Sequence, residues 1–432
     1  MKPVLAWLKS NFLLVIFGIL ALVPPPVAFI VAGGLNTDLV ETRQQAASSA
    51  LSQLRGSTVT YSLPPTSADE EPISESSAPN QVLTTYYAQE RARRETQIEA
   101  IKAEAVQFNQ QGREPLIDGI FPEPAPGQGQ LKRTEFGRVG IADESPESAY
   151  RALFNELRIR GLVDGEALAE QLNAQRDGQI AQITGDQGEG QLTPEQRDQL
   201  DQQMWAYRVS QYRAHAQDTA FYGDFLMLPV SVPTGEPATP PSIDDCFAWQ
   251  VDFWAVEDIL RAFASANAVR DRSGVGGSVL SGVIKRVDSI ALDPPPFADR
   301  AAPAAAGPRG RRDREESIPS GPATLTGRGE SPSDLYDIRY ATAEVVIATD
   351  KLPDLFDALA STNFITVIDV DLEAVDPWDD LMNGYFYGED AVVRMTVRLE
   401  LLYLRTWTVP WMPPRVREAL GIADPGDDDD LG

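Results

Sequence analysis

Carboxylates are the reactive groups this chain carries in quantity. Asp376, Asp379 and Asp380 gather around Trp378, and Asp244 adjoins Asp245. The first chemistry to weigh is therefore acid–base work by two carboxyls whose surroundings push their pKa values apart. That chemistry needs a cleft that takes one acid out of water. With 64 Asp and Glu in 432 residues, neighbouring acids arise by chance, and the residues before Asp376 read as a flat strand face with no such cleft. Other chemistry is thinner. His215 is the single histidine and Cys246 the single cysteine, which removes the commonest general base, most transition-metal sites, a zinc cluster and any intrachain disulfide. No nucleophile elbow, Walker loop or dinucleotide fingerprint occurs; Gly274-Val275-Gly276-Gly277 follows no clear strand and leads into no lysine-bearing helix. Gly185 to Gln196 has the outline of a calcium loop, with Gly190 as the turn and Leu192 as the apolar position. Yet Gly185, Gln187 and Gln196 stand where ligands belong, so calcium is not expected. The expectation is a protein that is not an enzyme, with no catalytic residues, no cofactor and no metal.

Charge excludes a further class. Lys and Arg number 37 against 64 acids, a formal charge of −27 with a pI near 4.4. Such a surface repels phosphates, so no nucleic-acid partner is expected, and solubility is sufficient reason for the acidity.

With chemistry set aside, the organising stretch runs from Cys246 to Arg405. Val256, Ile259, Leu260 and Phe263 stand at i, i+3, i+4 and i+7, and Leu352, Leu355, Phe356 and Leu359 repeat that spacing 96 positions on. Each quartet makes one apolar helical stripe, and together they are the expected helix-on-sheet core. The same shift lays Phe263-Ala264-Ser265-Ala266-Asn267 on Leu359-Ala360-Ser361-Thr362-Asn363, and Asp258 on Asp354. Each helix thus closes on Asn, a residue able to take the left-handed cap conformation. Strands are expected before the helices at Trp249 to Phe253 and Val345 to Ala348, and after them at Val283 to Leu292 and Phe364 to Val375. In the last of these, Ile368, Val370, Leu372 and Ala374 alternate with Asp369, Asp371 and Glu373, as a sheet with one wet face requires. Val393, Met395, Val397, Leu399, Leu401 and Tyr403 alternate likewise in a final strand. The fold class read from this is α+β: a duplicated βαβ, ferredoxin-like domain with an additional antiparallel strand, two helices lying on one face of the sheet. Ala268 to Gly282 is an insertion in the first copy without a counterpart in the second.

Ahead of this domain, Lys2 and Lys9 precede an uncharged run from Asn11 to Leu35. That is about 25 residues, enough to cross a bilayer, with Phe12, Leu14, Ile16, Leu20, Phe29 and Ile30 as the membrane anchor. Positive charge on the short leading side places the amino terminus in the cytoplasm and the bulk of the chain in the periplasm. Pro24-Pro25-Pro26 interrupt the run. The segment is either a retained single-pass anchor or, with Phe12 to Val23 as its apolar core, a cleaved signal peptide; both readings export the chain.

The expected boundaries are then a cytoplasmic tail at 1–10, a transmembrane helix at 11–35 and a helical stalk at 36–111. The stalk holds an exposed linker at 63–79 and a long helix from Gln81 to Gln111 that could be half of a coiled coil. A helical middle region spans 112–242. In it lie a proline- and glycine-rich loop from Pro115 to Gly129, a helix opening at Ser145 to Ser148, and helices at Gly165 to Arg176 and Pro194 to Asp218, the last capped by Thr193 with His215, expected to be solvated, near its end. The ferredoxin-like domain occupies 243–412, with a disordered loop at 299–333 carrying Arg309, Arg311, Arg312 and Arg314, and an acidic tail fills 413–432.

This order, a short tail, one membrane helix, a helical stalk, then helix–strand–strand twice, resembles the PilO, PilN and GspM proteins of type IV pilus and type II secretion assembly. It is most similar to the larger PilO-like pilus-associated proteins, in which a Pro/Ala-rich loop splits the repeat and a segment like Pro146-Glu147-Ser148-Ala149-Tyr150-Arg151-Ala152-Leu153 precedes the sheet. The triple proline, the helices from Gly165 to Asp218 and the basic loop depart from that pattern. The resemblance implies a non-catalytic inner-membrane scaffold that aligns an envelope assembly, as a homo- or heterodimer with other assembly proteins. The alternative is a surface-exposed, pilus-associated binding or signalling protein on the outer face of the cell.

Overall fold

A computed structural model describes residues 7–22, 24–56, 58–65, 71–185, 192–268, 277–295, 297, 326, 328 and 333–422. The chain divides into two compact units, Met1–Glu104 and Ala105–Gly432. The glycine-rich run at 274–276, the heart of the calcium-like loop at 186–191, the basic segment at 309–314 and the acidic run at 427–430 lie outside the described residues.

In the first unit, α1 (Phe12–Leu22) and α2 (Pro24–Gly56) carry the apolar run. The three prolines occupy the first turn of α2, where backbone N–H groups have no intrahelical partner to lose. Together these helices are long and apolar enough to cross a membrane, and none of that window is buried. The stretch expected as a linker instead holds a hairpin. β1 (Val59–Leu63) pairs antiparallel with β2 (Ile73–Ser77), Tyr61 opposite Glu75. Tyr61 and Leu63 both point inward, so the alternation that decides the strand is there, hidden beneath a Pro/Ser/Glu composition. The hairpin lies on α3 (Gln81–Gln110): Tyr61 stacks on Tyr87 at 5.1 Å, and Arg94 donates to the Pro64 carbonyl at 2.9 Å. On the rest of α3 the charges pair along the helix, Arg93 with Glu90 and Arg91 with Glu95.

The second unit begins in the last turn of α3, which ends where Gln111 and Gly112 take left-handed conformations. Next come α4 (Gly129–Val139) and α5 (Ala149–Glu156). The N-cap of α5 is Ser148, whose Oγ accepts from Arg151 N and donates to the Ile141 carbonyl. β3 (Ile159–Arg160) leads to α6 (Gly165–Thr184), which runs past the expected end at Arg176 to the left-handed Gly185. α7 (Pro194–Asp218) follows, opened by a reciprocal capping box between Thr193 and Gln196. β4 (Phe221–Tyr222) closes this part.

The largest correction falls on α8 (Ile243–Ala268). Trp249 to Phe253, expected as a strand, lies inside this helix, whose start is capped by Ser242 and Asp245 donating to each other. The error has a physical cause: Gln250, Asp252, Phe253, Trp254, Ala255 and Val256 are all buried, and a helix covered on most sides shows no clean 3.6-residue period. The order is therefore helix–strand–strand twice: α8, β5 (Ile284–Leu292) and β6 (Tyr336–Ala348), then α9 (Leu352–Thr362), β7 (Ile365–Ala374), α10 (Pro377–Met382) and β8 (Val392–Leu404). The six-stranded sheet runs β3-β4-β5-β6-β8-β7, and its four long strands are antiparallel neighbours.

The middle region is not separate from this domain. It supplies β3 and β4, and its Tyr150, Leu153, Phe154 and Phe221 join α8, α9 and the sheet in one hydrophobic cluster. Nor is 413–432 a free tail from its start. After α11 (Arg405–Thr408), α12 (Pro414–Leu420) buries Val416 in a second cluster with Phe247 and Met412.

Candidate functional site

The six anchor residues, Phe12, Leu14, Ile16, Leu20, Phe29 and Ile30, all expose their side chains, from 39% at Ile16 to 81% at Phe29. Of the eight helix-on-sheet residues, Val256, Ile259, Leu260, Phe263, Leu355 and Leu359 are buried in the main cluster, and Leu352 and Phe356 pack against it.

The acids do not converge. Asp376 caps α10 by accepting from Trp378 N at 2.9 Å, while Asp380 accepts from Arg286 Nη1 at 2.8 Å and Tyr387 OH at 3.0 Å. The Asp245 carboxylate accepts from Ser242 N and Ser242 Oγ at the start of α8. His215, expected to be solvated, is half-buried: its Nε2 lies 2.8 Å from the Gly161 carbonyl and its ring stacks on Tyr222. Cys246 is a buried free thiol whose pKa burial pushes up to about 12, far from a nucleophile's range. Among the described residues no group of three or more His, Cys, Asp and Glu is placed to hold a metal.

What the second unit does bring together is a buried polar network at the carboxy end of α9. Asp258 accepts from Arg113, from Asn363 Nδ2 at 3.0 Å and from Tyr403 OH at 3.0 Å. Asn109, from the last turn of α3, spends all its capacity here. Its amide donates to Leu402 O at 2.7 Å and Asn363 Oδ1 at 2.8 Å; its oxygen accepts from Leu404 N and Trp407 Nε1, both at 2.7 Å. Burial lifts the Asp258 carboxyl above its usual range, and the Arg113 guanidinium works against that shift. In a second buried pair, Asp252 accepts from Arg339 and from Ser231 Oγ at 2.7 Å, while Arg339 Nε and Nη1 are buried without a hydrogen-bond partner among the described residues. Beside Arg339 lies a partly open pocket of about 30 Å³ walled by Trp254, Phe247 and Met412, with room for a water molecule. None of these roles was read from sequence, though one signal was present: Asp252 and Asp258 interrupt the apolar surface of α8, and an acid there must find a partner.

The asparagines expected as left-handed caps act through their side chains instead. Asn363 is extended (φ −159°), and the described non-glycine residues with positive φ are Gln111 and Arg158. Asn267 Oδ1 accepts from Ile284 N at 2.7 Å, and its amide donates to Ala220 O and Ile284 O.

At the opposite margin of the sheet, β7 is the outermost strand, ten residues long, and among the described residues no strand pairs with its outer edge. A register shift at Ile368 moves one residue out of the ladder, so Ile365 and Val367 before it, and Val370 and Leu372 after it, all share the core side opposite Leu401, Leu399, Val397 and Met395. The polar side carries Asp369, Asp371 and Glu373, all exposed. Asp369 and Asp371 each accept, at 2.9 Å, from the amide of the next residue, Val370 and Leu372. Beyond the strand, Trp378 and Met382 are 71% and 60% exposed, beside a cleft of about 190 Å³ lined by Pro377, Leu381, Tyr385 and Tyr387.

No protein-family model matches this chain, and no curated protein matches it. Among solved structures, the type 4 fimbrial biogenesis protein PilO from Pseudomonas aeruginosa aligns at 16% identity with a TM-score of 0.13, over 17% of this chain and 48% of that one. The match thus spans about half of that protein's resolved length.

Proposed function

We propose that this protein is a membrane-anchored, non-catalytic scaffold of a cell-envelope assembly of the type IV pilus or type II secretion kind. The observation that carries it is the α1–α2 segment, whose apolar side chains are exposed with none of the window buried. In water such a surface is untenable; in a bilayer it is the expected one. Behind it stand an acidic body, a sheet edge that no described strand pairs with, and carboxylates committed to caps and ion pairs rather than to a cleft. The helix–strand–strand order, with sheet order β5-β6-β8-β7, reads as a duplicated ferredoxin-like domain in a permuted order of elements. On this reading the amino terminus is cytoplasmic, the chain beyond the apolar run is periplasmic, and α3 and the sheet provide surfaces for another copy or a related chain. Membrane tethering raises the effective concentration of such partners. Val82, Tyr86 and Ile101, exposed along α3, would be covered if α3 pairs as a coiled coil.

Crosslinking in native membranes, with identification of the co-purified proteins, tests this. An inner-membrane pool joined to envelope assembly components is expected. Recovery of soluble enzymes alone would overturn the scaffold, and an outer-surface pool would favour a pilus-associated binding role.

A further inference from the structure

We propose that the open edge of β7 receives an extended, lysine- or arginine-bearing strand from a different polypeptide, which adds to the sheet beside Asp369, Asp371 and Glu373. The inference deepens the scaffold reading and rests on it only in requiring that a partner exists.

The first argument is exposure and length. At the far end of the sheet β3 has two residues, whereas β7 offers ten, and Leu372 on its apolar side is 51% exposed. An edge of that length is a template for another strand unless something blunts it. Here the blunting is specific. Amides that would serve an incoming strand are those of alternate residues, and Val370 N and Leu372 N are held by the carboxylates of Asp369 and Asp371. A neutral or acidic strand has nothing to offer those carboxylates in return for the amides. A cationic one does, by drawing them into ion pairs as the backbone bonds form.

The second argument is that these acids are left unmatched within the sheet. Across the ladder, Arg398 opposes Asp369 and Arg394 opposes Glu373. Arg398 is engaged with Asp293 at 2.8 Å, however, and Arg394 with Asp288 at 3.3 Å. Among the described residues the cation that reaches β7 is Arg328, and it sits at the other end, on Thr366 and Glu400.

The third argument excludes a second copy as the favoured occupant. If two β7 strands pair antiparallel in a register that keeps their apolar sides together, the acids of one fall opposite the acids of the other. Shifting by one residue sets the apolar side of one against the wet side of its mate. Either register is penalised, so self-association is opposed and a basic partner selected. Trp378, exposed at the end of the same edge, suits the same chemistry, since an indole face attracts a guanidinium or ammonium group.

The test uses the full chain in lipid nanodiscs and a blocked ten-residue peptide of alternating valine and lysine. Binding is followed calorimetrically and by hydrogen exchange. Saturable one-to-one binding is expected, with exchange slowed across residues 365–374, and about tenfold weaker binding for the peptide with glutamate in place of lysine. The triple variant D369N/D371N/E373Q should lose about tenfold in affinity, and Trp378→Ala about threefold. A lysine peptide with proline at alternate positions, unable to donate backbone bonds, should leave β7 exchange unchanged. Equal binding of the two charged peptides, or lysine-peptide binding without protection of β7, would overturn the proposal. So would a dimer in sedimentation whose β7 is protected before any peptide is added, which would assign the edge to a second copy. None of these failures touches the membrane crosslinking result, so loss of this partner and loss of the scaffold role remain distinguishable.

Discussion

Asn267 and Asn363 stand 96 residues apart at equivalent positions, and each ends a core helix by the same device with a different neighbour attached. In both, the side-chain oxygen accepts from the first amides of the following strand region, Ile284 N in one and Phe364 N in the other. The side-chain amide then reaches sideways. Asn267 takes Ala220 O and so holds the segment entering β4, while Asn363 takes Asn109 O and the carboxylate of Asp258. A buried amide has up to four hydrogen-bonding sites to satisfy, and each half meets those left over from the strand with whatever segment packs there. The clamp is thus common to both asparagines, and the clamped element differs.

The sharpest break in this comparison lies between Asp258 and its positional counterpart Asp354. Asp258→Ala leaves Asn363, Tyr403 and the buried Arg113 guanidinium without the carboxylate they share, Arg113 keeping Glu257 at 3.3 Å. It should cost about 3 kcal/mol in denaturant unfolding followed by the fluorescence of Trp254 and Trp407. Asp354→Ala, in the first turn of α9, should cost about 0.3–1 kcal/mol. Equal losses would mean that the two halves are more alike than their contacts indicate.

Next in size are the asparagines themselves. Asn267→Ala and Asn363→Ala each strand buried backbone groups and should each destabilise by about 1–3 kcal/mol. Hydrogen exchange separates them: the first should speed exchange at Ile284 and the second at Phe364. If either variant opens both amides equally, the clamps are not independent.

Steric room provides a finer test. Gly282 lies so close to the Asn267 side chain that an added Cβ would collide with it. Gly282→Ala should therefore cost about 1–3 kcal/mol, and combined with Asn267→Ala it should cost less than the sum, by about 0.5 kcal/mol or more. Among the described glycines none meets Asn363 in this way, and a Gly282 effect unaltered by the asparagine change would remove the steric account.

The smallest expected effect is a pH dependence centred on Asp390, which precedes β8 in the second half and takes one lysine from each half. Lys285 and Lys351 both donate to Asp390, Lys285 at 2.6 Å. Burial opposes the Asp390 carboxylate, but the two lysines outweigh it and hold its pKa below the usual 3.8. A carboxyl depressed in the folded state stabilises above its unfolded pKa, and that contribution is lost as pH falls below about 3.8 through the folded value. Asp390→Asn should flatten the acid limb of stability below about pH 4, measured by thermal melts, while Asn363→Ala should leave its shape unaltered.

Much of this was legible in order along the chain. The apolar stripes at Val256–Phe263 and Leu352–Leu359, the alternation in β7 and β8, the caps at Ser148 and Thr193 and the greasy leader are local patterns, since a helix or strand writes its period into its own residues. The hairpin at β1–β2 escaped because its composition resembles a linker. Trp249 to Phe253 was misread because burial on most sides erases the contrast that marks a helix.

What sequence by itself determined is therefore where elements with one wet and one dry side begin and end, and that an apolar segment precedes an acidic body. Tertiary structure decided which groups meet: that Asn109 closes on Asn363, that Asp258 finds Arg113 at a separation of 145 residues, and that β7, not β5, forms the open margin. Periodicity records each residue's exposure to water, but partners for buried polar groups are chosen by packing between distant segments, and no local pattern encodes that choice.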